Sequence, residues 1–348
     1  MLKPFLLALA VSALGIHAGP TRAGAEFKIV TASERGTYIQ FGRDIASLIA
    51  APADIDLEVL PSAGSAENVR RLRYEPGVKL AIVQSDVYQA FVDLARGGNR
   101  EVGDIIRPLR VIMPLYNEEI YFLARADSDL TYVHEIRDAR INAGEIGSGT
   151  ALTTSTLYRL MFARALPEDR TTFLSNENAL VKLIEDKSVD VVAIVAGQPA
   201  RLLTDMKPEA RQFIKLLKVD SLHPSTRAVQ TTYFPATVRA TSYPNLLAED
   251  VPSFAVRAFL VTYDYNLAQT KQSLARLARS LCKNFSTLRT SGHPKWREVE
   301  LALPDLGRGW FYYAPTFREL RACSVATMAR SPRAGPCTQQ ERILGLCS

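Results

Sequence analysis

Three times within its first hundred residues the chain repeats one unit: a short apolar run, a bend of small residues, and a segment with apolar side chains at helical spacing. "FKIVTA" alternates like a strand, and the Arg35-Gly36 turn leads into "TYIQFGRDIASLIAA", where Tyr38, Phe41, Ile45, Leu48 and Ile49 recur at helical spacing. "DLEVLPS" runs into "AGSAENVRRLRYE", with Ser65 placed to cap a helix carrying Val69 and Leu72. "VKLAIVQSDV" is a short apolar run of the kind buried in parallel sheets, and the helix "VYQAFVDLARGG" follows it. Such repetition predicts an α/β fold of βαβ units.

"LRVIMPLYNEEIYFLAR" reads as one or two further strands, with Pro114 marking an edge or a break. The same grammar restarts at Ala139. "ARINAGE" is a strand, Gly147–Thr150 a bend, and "ALTTSTLYRLMFARAL" a helix whose Leu152, Leu157, Leu160 and Met161 face the sheet. A further helix, "NENALVKLIEDKSV", precedes the apolar strand that ends at Gly197-Gln198-Pro199. The pattern predicts an assembly of two α/β domains. Its chain crosses near Ala124–Asp127 and again near Thr232–Asp250, the crossing strands forming a hinge, and a helical C-terminal segment follows. Residues 26–124 and 245–322 form lobe 1, 125–244 lobe 2, and 323–348 a cysteine-containing tail.

Lys3, the apolar stretch Phe5–Ile16 and the small residues Ala23-Gly24-Ala25 form the pattern of a cleaved secretory signal over residues 1–25, with cleavage after Ala18 or Ala23 as alternatives. That stretch falls short of the roughly twenty residues that span a bilayer. The expected location is the periplasm. Cys282, Cys323, Cys337 and Cys347 suit disulfides in an exported protein, and Cys282–Cys323 with Cys337–Cys347 is the expected pairing. No C-x-x-C occurs, and His134, His223 and His293 lack metal-ligand spacing; we expect packing or surface roles for them, and no metal or cofactor. The formal charge of +6 includes Lys3 and Arg22, and the remaining charges are interleaved, which argues against a nucleic-acid partner.

Familiar catalytic loops are absent. Gly149 is followed by Thr150 where a phosphate loop needs lysine, and Leu152 stands where a dinucleotide fingerprint needs a third glycine. No G-x-S-x-G elbow sits at this bend. Binding remains. Helix N-termini offer unsatisfied N–H groups and partial positive charge, and ligands of open α/β sheets sit beyond the carboxyl ends of strands. The bends Arg35–Tyr38, Ala63–Asn68 and Gly147–Thr150 fit that role. Thr37, Ser65, Ser148 and Thr150 supply hydroxyls, and Asn68, Gln84 and Gln198 supply amides.

The stretches "GTYIQFGRDIA", "SAGSAENVRRL", "LAIVQSDV", "LYNEEIYFLAR", "AGEIGSGTALTTSTLY" and "VDVVAIVAGQPA" together resemble the TAXI family of TRAP-transporter solute receptors, over roughly Phe27 to Leu203. The resemblance implies a two-lobed α/β clamp of the periplasmic-binding-protein kind, a periplasmic, non-enzymatic receptor that binds a small carboxylate, a glutamate-like amino acid or a dicarboxylate, and passes it to membrane permease subunits. By motif it implies a ligand site at Gly36, Thr37 and Tyr38, Ser65 and Asn68, Gln84 and Asp86, Ser148, Gly149 and Thr150, and Gln198 and Pro199. A periplasmic sensor module for a signalling receptor is the second expectation, and an exported hydrolase the third.

Overall fold

The first three strand–bend–helix units build one half of a sheet. In the computed structural model, which describes residues 24–330 apart from residue 308, β1 (Ala25–Val30) lies parallel between β2 (Ile55–Leu60) and β3 (Val78–Gln84). α1 (Thr37–Asp44), α2 (Ser65–Tyr74) and α3 (Val87–Arg96) follow these strands. The helix expected from Thr37 continues past α1 by changing pitch, as a π-helical turn over Ile45–Ala50 and a 3-10 turn over Ala51–Ala53. α4 (Arg100–Ile106), opened by Asn99 Oδ1 accepting from the Val102 N–H at 3.3 Å, is too short for a helical period to announce it.

Two long strands then carry the chain through both halves. β4 (Leu109–Arg125) and β10 (Val251–Tyr263) run antiparallel, side by side, in a sheet of strand order β2-β1-β3-β10-β4-β7-β5-β6. The second half contributes β5 (Ile141–Asn142), β6 (Thr171–Thr172), β7 (Val191–Ala196), β8 (Ile214–Leu216) on β4 and β9 (Phe234–Val238) on β10. β10 meets β3 through Ala258–Val261, whereas β4 meets β7 through Glu119–Ala124. Passage between the halves therefore lies inside the two strands. Pro114 marks neither an edge nor a break: it sits within β4 opposite Phe259, where the register with β10 shifts. Proline has no N–H to give a ladder, and a bulge accommodates it.

Helices cover both faces of each half, so the molecule is a two-lobed α/β clamp. Lobe-specific cores follow: Phe41, Ile82 and Trp296 centre one, Val69, Val83 and Phe91 another, while Phe122 with Leu157 and Leu183 with Val192 centre the second-half pair. Burial on both faces explains why β3 and β7 read as nearly unbroken apolar runs. α5 (Gly149–Phe162) seats Leu157 and Met161 in its own lobe, as expected, with Leu160 against the same cluster. Leu152 departs from expectation by packing against the Val83–Phe91 cluster of the other half. α6 (Asn176–Ile184), α7 (Arg201–Thr204) and α8 (Pro224–Val229) complete that half.

The C-terminal segment is helical, as expected, with α9 (Ala268–Ser291) and α10 (Ala314–Arg330) tied by a Cys282–Cys323 disulfide whose Cα atoms are 6.0 Å apart. The expected Cys337–Cys347 pair, and residues 1–23 of the expected signal over 1–25, lie outside the described residues. Among the described residues no helix is long and apolar enough to cross a membrane.

Candidate functional site

A cavity of about 330 Å³ lies where helix openings from both halves converge: the first residues of α1, α2, α5, α6 and α7 all line it. A larger hollow of about 580 Å³, over β2 beside Gly24 and Asp54, is open to solvent and holds none of the expected site residues. Convergence of helix N-termini concentrates unpaired N–H groups and positive dipole ends in one place.

α5 is the best-built opening. Ser148 is its extended N-cap, and Ser148 Oγ accepts from the Ala151 N–H at 3.0 Å. Thr150 Oγ1 accepts from the Val195 N–H of β7 at 3.3 Å. Each hydroxyl oxygen is thereby fixed by backbone, while its proton stays available to a guest. Among the described residues the Gly149 and Thr150 N–H groups meet no protein acceptor. The α1 opening follows Gly36, whose N–H donates to Ser33 O at 2.9 Å, and Tyr38 donates from its hydroxyl to Glu118 Oε2 at 2.6 Å.

The α2 opening differs from expectation. Gly64, not Ser65, is its N-cap; Ser65 is the first helical residue, and its Oγ accepts from the Gln84 N–H at 3.0 Å. Part of this opening is filled by the protein itself, because the Glu67 N–H donates to Gly147 O of the other half at 3.2 Å. Gly64 holds φ of 131°, and a Cβ there would come within 3.0 Å of Gly149 N. Only glycine tolerates both the backbone angle and the approach.

Of the twelve expected residues, Gly36, Thr37, Tyr38, Ser65, Gln84, Ser148, Gly149 and Thr150 line the cavity, whereas Asn68, Asp86, Gln198 and Pro199 do not. Asn68 points into the first half, its Nδ2 donating to Thr31 O at 2.5 Å and Ile82 O at 2.7 Å and its Oδ1 accepting from Ser62 Oγ at 2.6 Å. Gln198 is spent likewise: its N–H donates to Glu119 Oε2 at 2.8 Å, Nε2 to Thr237 O at 3.2 Å, and Oε1 accepts from the Arg239 N–H at 2.6 Å. Pro199 follows a cis peptide bond and is exposed. Asp86 instead bridges the halves. Its Oδ2 accepts from Thr153 Oγ1 of α5 at 2.7 Å and from Tyr233 OH at 2.8 Å, while Oδ1 is buried without a partner. Burial pushes its pKa up to about 6.

Gln84 also crosses the gap, accepting from Thr153 Oγ1 at 3.3 Å and lying so close that a Cβ on Gly149 would overlap its side-chain amide. Gly149→Ala is therefore expected to destabilise the chain by about 1–3 kcal/mol through overpacking. Removing the obstruction in Gly149→Ala with Gln84→Ala should recover most of that loss. Urea unfolding of the wild type, both single variants and the double variant measures the coupling directly; additive effects would mean the two residues do not meet.

Sequence reasoning did not single out the buried acids of β4. Glu118 is 4% exposed on the cavity wall, and burial, with Glu119 and Asp86 nearby, pushes its pKa up to about 8. Glu119, beside it, is held by Lys295, whose Nζ is 3.5 Å from Glu119 Oε1 and 2.8 Å from Glu298 Oε2. The available signal was the acid pair inside an apolar strand run, since carboxylates are almost never fully buried without a reason. His134 and His223, distant in sequence, stack with ring centroids 3.7 Å apart, and no histidine lines the cavity.

Among solved structures, the chain is similar to XAC2383 from Xanthomonas citri bound to ATP (13% identity, TM-score 0.43, covering 88% of this chain and 98% of that one). It is also similar to the putative sulfonate ABC transporter periplasmic sulfonate-binding protein SsuA from Methylobacillus flagellatus KT (10% identity, TM-score 0.46, 88% and 86%). A third likeness is to the Candida albicans CA3427 gene product, described as having the generic periplasmic binding protein fold (14% identity, TM-score 0.46, 86% and 90%). The NMT1-like family matches continuously over residues 29–303, from β1 to beyond the Lys295 turn, and the chain belongs to that family.

Proposed function

We propose that this chain is an exported, non-enzymatic solute receptor that captures a small carboxylate in the cleft between its lobes. One observation carries the reading: helix openings from both halves line a single cavity, and the α5 opening presents two N–H groups with no acceptor among the described residues. A carboxylate there gains roughly 0.3–2 kcal/mol from the dipole before hydrogen bonds are counted.

The lobes we assign are residues 26–124 with 245–322, and 125–244, except that 119–124 of β4 and 251–255 of β10 pair within the second half. We place the bending point where the register of β4 and β10 shifts between Arg257 and Phe259. Within the wider family assignment we favour a TAXI-type receptor serving TRAP permease subunits in the periplasm. A sensor module is the alternative, and a neighbouring permease or histidine-kinase gene separates the two. Cleavage of the signal after Ala23 leaves β1 whole, since its Ala25 N–H donates to Asp54 O at 3.2 Å.

Thermal stabilisation of the mature chain by amino acids, keto acids and dicarboxylates tests the receptor reading, because a ligand of the folded form raises the midpoint with its concentration. Ser148→Ala with Thr150→Ala should lower the baseline by about 1 kcal/mol through the lost cap. The same variant should also weaken the ligand-dependent rise. An unchanged rise would remove the α5 opening from the site.

A further inference from the structure

We propose that Glu118 is the specificity-determining residue of this cleft: it receives a protonated amine on the ligand, so the site selects amine-bearing acids over the same skeletons without the amine. The inference rests on the receptor reading above and narrows it.

The charges facing the cavity carry the argument. Its two guanidinium groups are already matched, Arg35 to Glu177 at 3.9 Å and Arg201 to Asp205 at 3.3 Å. Glu34, Glu118 and Glu145 also line it, and among the described residues none of the three forms a salt bridge. A guest bearing only negative charge faces Glu34 and Glu145 unmatched, with no incentive for Glu118 to ionise. A guest bringing an ammonium group complements it.

Glu118 is the member of that set placed to bind specifically. It is the buried one, held by the Tyr38 hydroxyl on one oxygen. The groups facing it are Tyr38 from α1, Tyr116 and Glu119 from its own strand, and Gln84 and Asp86 from β3 and its end. None is cationic. Lys295, the cation beside Glu119, is engaged by Glu119 and Glu298. With its pKa pushed up to about 8, Glu118 is mostly protonated at neutral pH in the empty cleft. An arriving ammonium favours the carboxylate, so the Glu118 proton leaves to the buffer as the ion pair forms. The ligand's own carboxylate is left to the α5 amides.

Calorimetry on the mature chain with matched probes tests this: glutamate against 2-oxoglutarate, and alanine against pyruvate. Wild type should bind the amine-bearing member roughly ten-fold or more tightly, the scale of a hydrogen bond to a charged group. At pH 7 in phosphate and in Tris, the heats should differ by the release of nearly one proton. Glu118→Gln, a shape-conserving stand-in for the protonated acid, should abolish both the preference and the proton release. Tyr38→Phe, which removes a donor that favours the charged form, should keep the preference but lower affinity at neutral pH. Equal or tighter binding of the amine-free members by wild type, or an unchanged preference in Glu118→Gln, overturns the inference and leaves the receptor reading standing. No binding by any probe to wild type sinks the receptor reading, and the inference with it.

Discussion

Replacing Trp296 by alanine is expected to cost about 3–5 kcal/mol, the range for deleting a large aromatic side chain from a packed core. Trp296 is wholly buried and stacks on Phe41 with ring centroids 4.1 Å apart; Phe41 in turn packs on Tyr116 at 4.6 Å. Its Nε1–H donates to Asp44 Oδ2 at 2.8 Å, and that same oxygen accepts from the His293 N–H at 2.8 Å. Alanine would leave a cavity and strip a charged acceptor of one donor, two penalties that act together. Phenylalanine keeps most of the volume and loses only the hydrogen bond, so Trp296→Phe should cost far less, about 1–2 kcal/mol. Urea midpoints of the two variants decide it; equal, small losses would show that this aromatic stack contributes little. The consequence reaches the cleft, because Tyr116 stands at the end of the stack and faces Glu118. The C-terminal turn at Pro294–Glu298 thus braces the inner wall from behind.

The α/β class was legible because the period of the apolar residues switches from two to three or four at each small-residue bend, a local signal. The openings of α1 and α5 were legible for the same reason: Ser148 caps through a bond three residues away, and Gly36 ends a tight turn. Direction of a side chain is not local. Asn68 and Gln84 are both amides near bends, yet Asn68 turns inward to the carbonyls of Thr31, just past β1, and Ile82 of β3, while Gln84 crosses to α5. Nothing in their neighbours distinguishes them. β5 and β6, of two residues each, exist only because β7 offers β5 a partner and β5 in turn offers one to β6. Pro114 misled because a proline in a central strand is rare, and the bulge that accommodates it is formed with β10, far along the chain. Glu118 and Glu119 went unassigned because their burial depends on β10, β7 and the Lys295 turn together.

Those buried acids make the empty protein lose stability as pH rises. A carboxyl whose folded pKa exceeds its unfolded value binds more proton in the folded state, so stability is fully present below the unfolded pKa and declines until the folded pKa is passed. For Glu118 the window runs from 4.5 to about 8, and at about 1.4 kcal/mol for each pH unit the full decline is on the order of 4–5 kcal/mol. For Asp86 it runs from 3.8 to about 6, on the order of 3 kcal/mol. Glu118→Gln should therefore become steadily more stable relative to wild type between about pH 5 and 8, with the difference level above that. Asp86→Asn should show the same sign over the lower window. Parallel pH profiles for variant and wild type would mean that both acids are hydrated in solution. Asp86 owes its burial to Thr153 and Tyr233 of the other half, so parting the lobes returns water to it. Raising the pH through 6 therefore favours the open form as well as the unfolded one, and small-angle scattering should record a larger radius at pH 8 than at pH 5 in wild type but not in Asp86→Asn. A guest amine at Glu118 works against that trend by supplying the missing positive charge inside the closed cleft. Ligand-driven closure should accordingly be largest near pH 8, where the empty protein is most open.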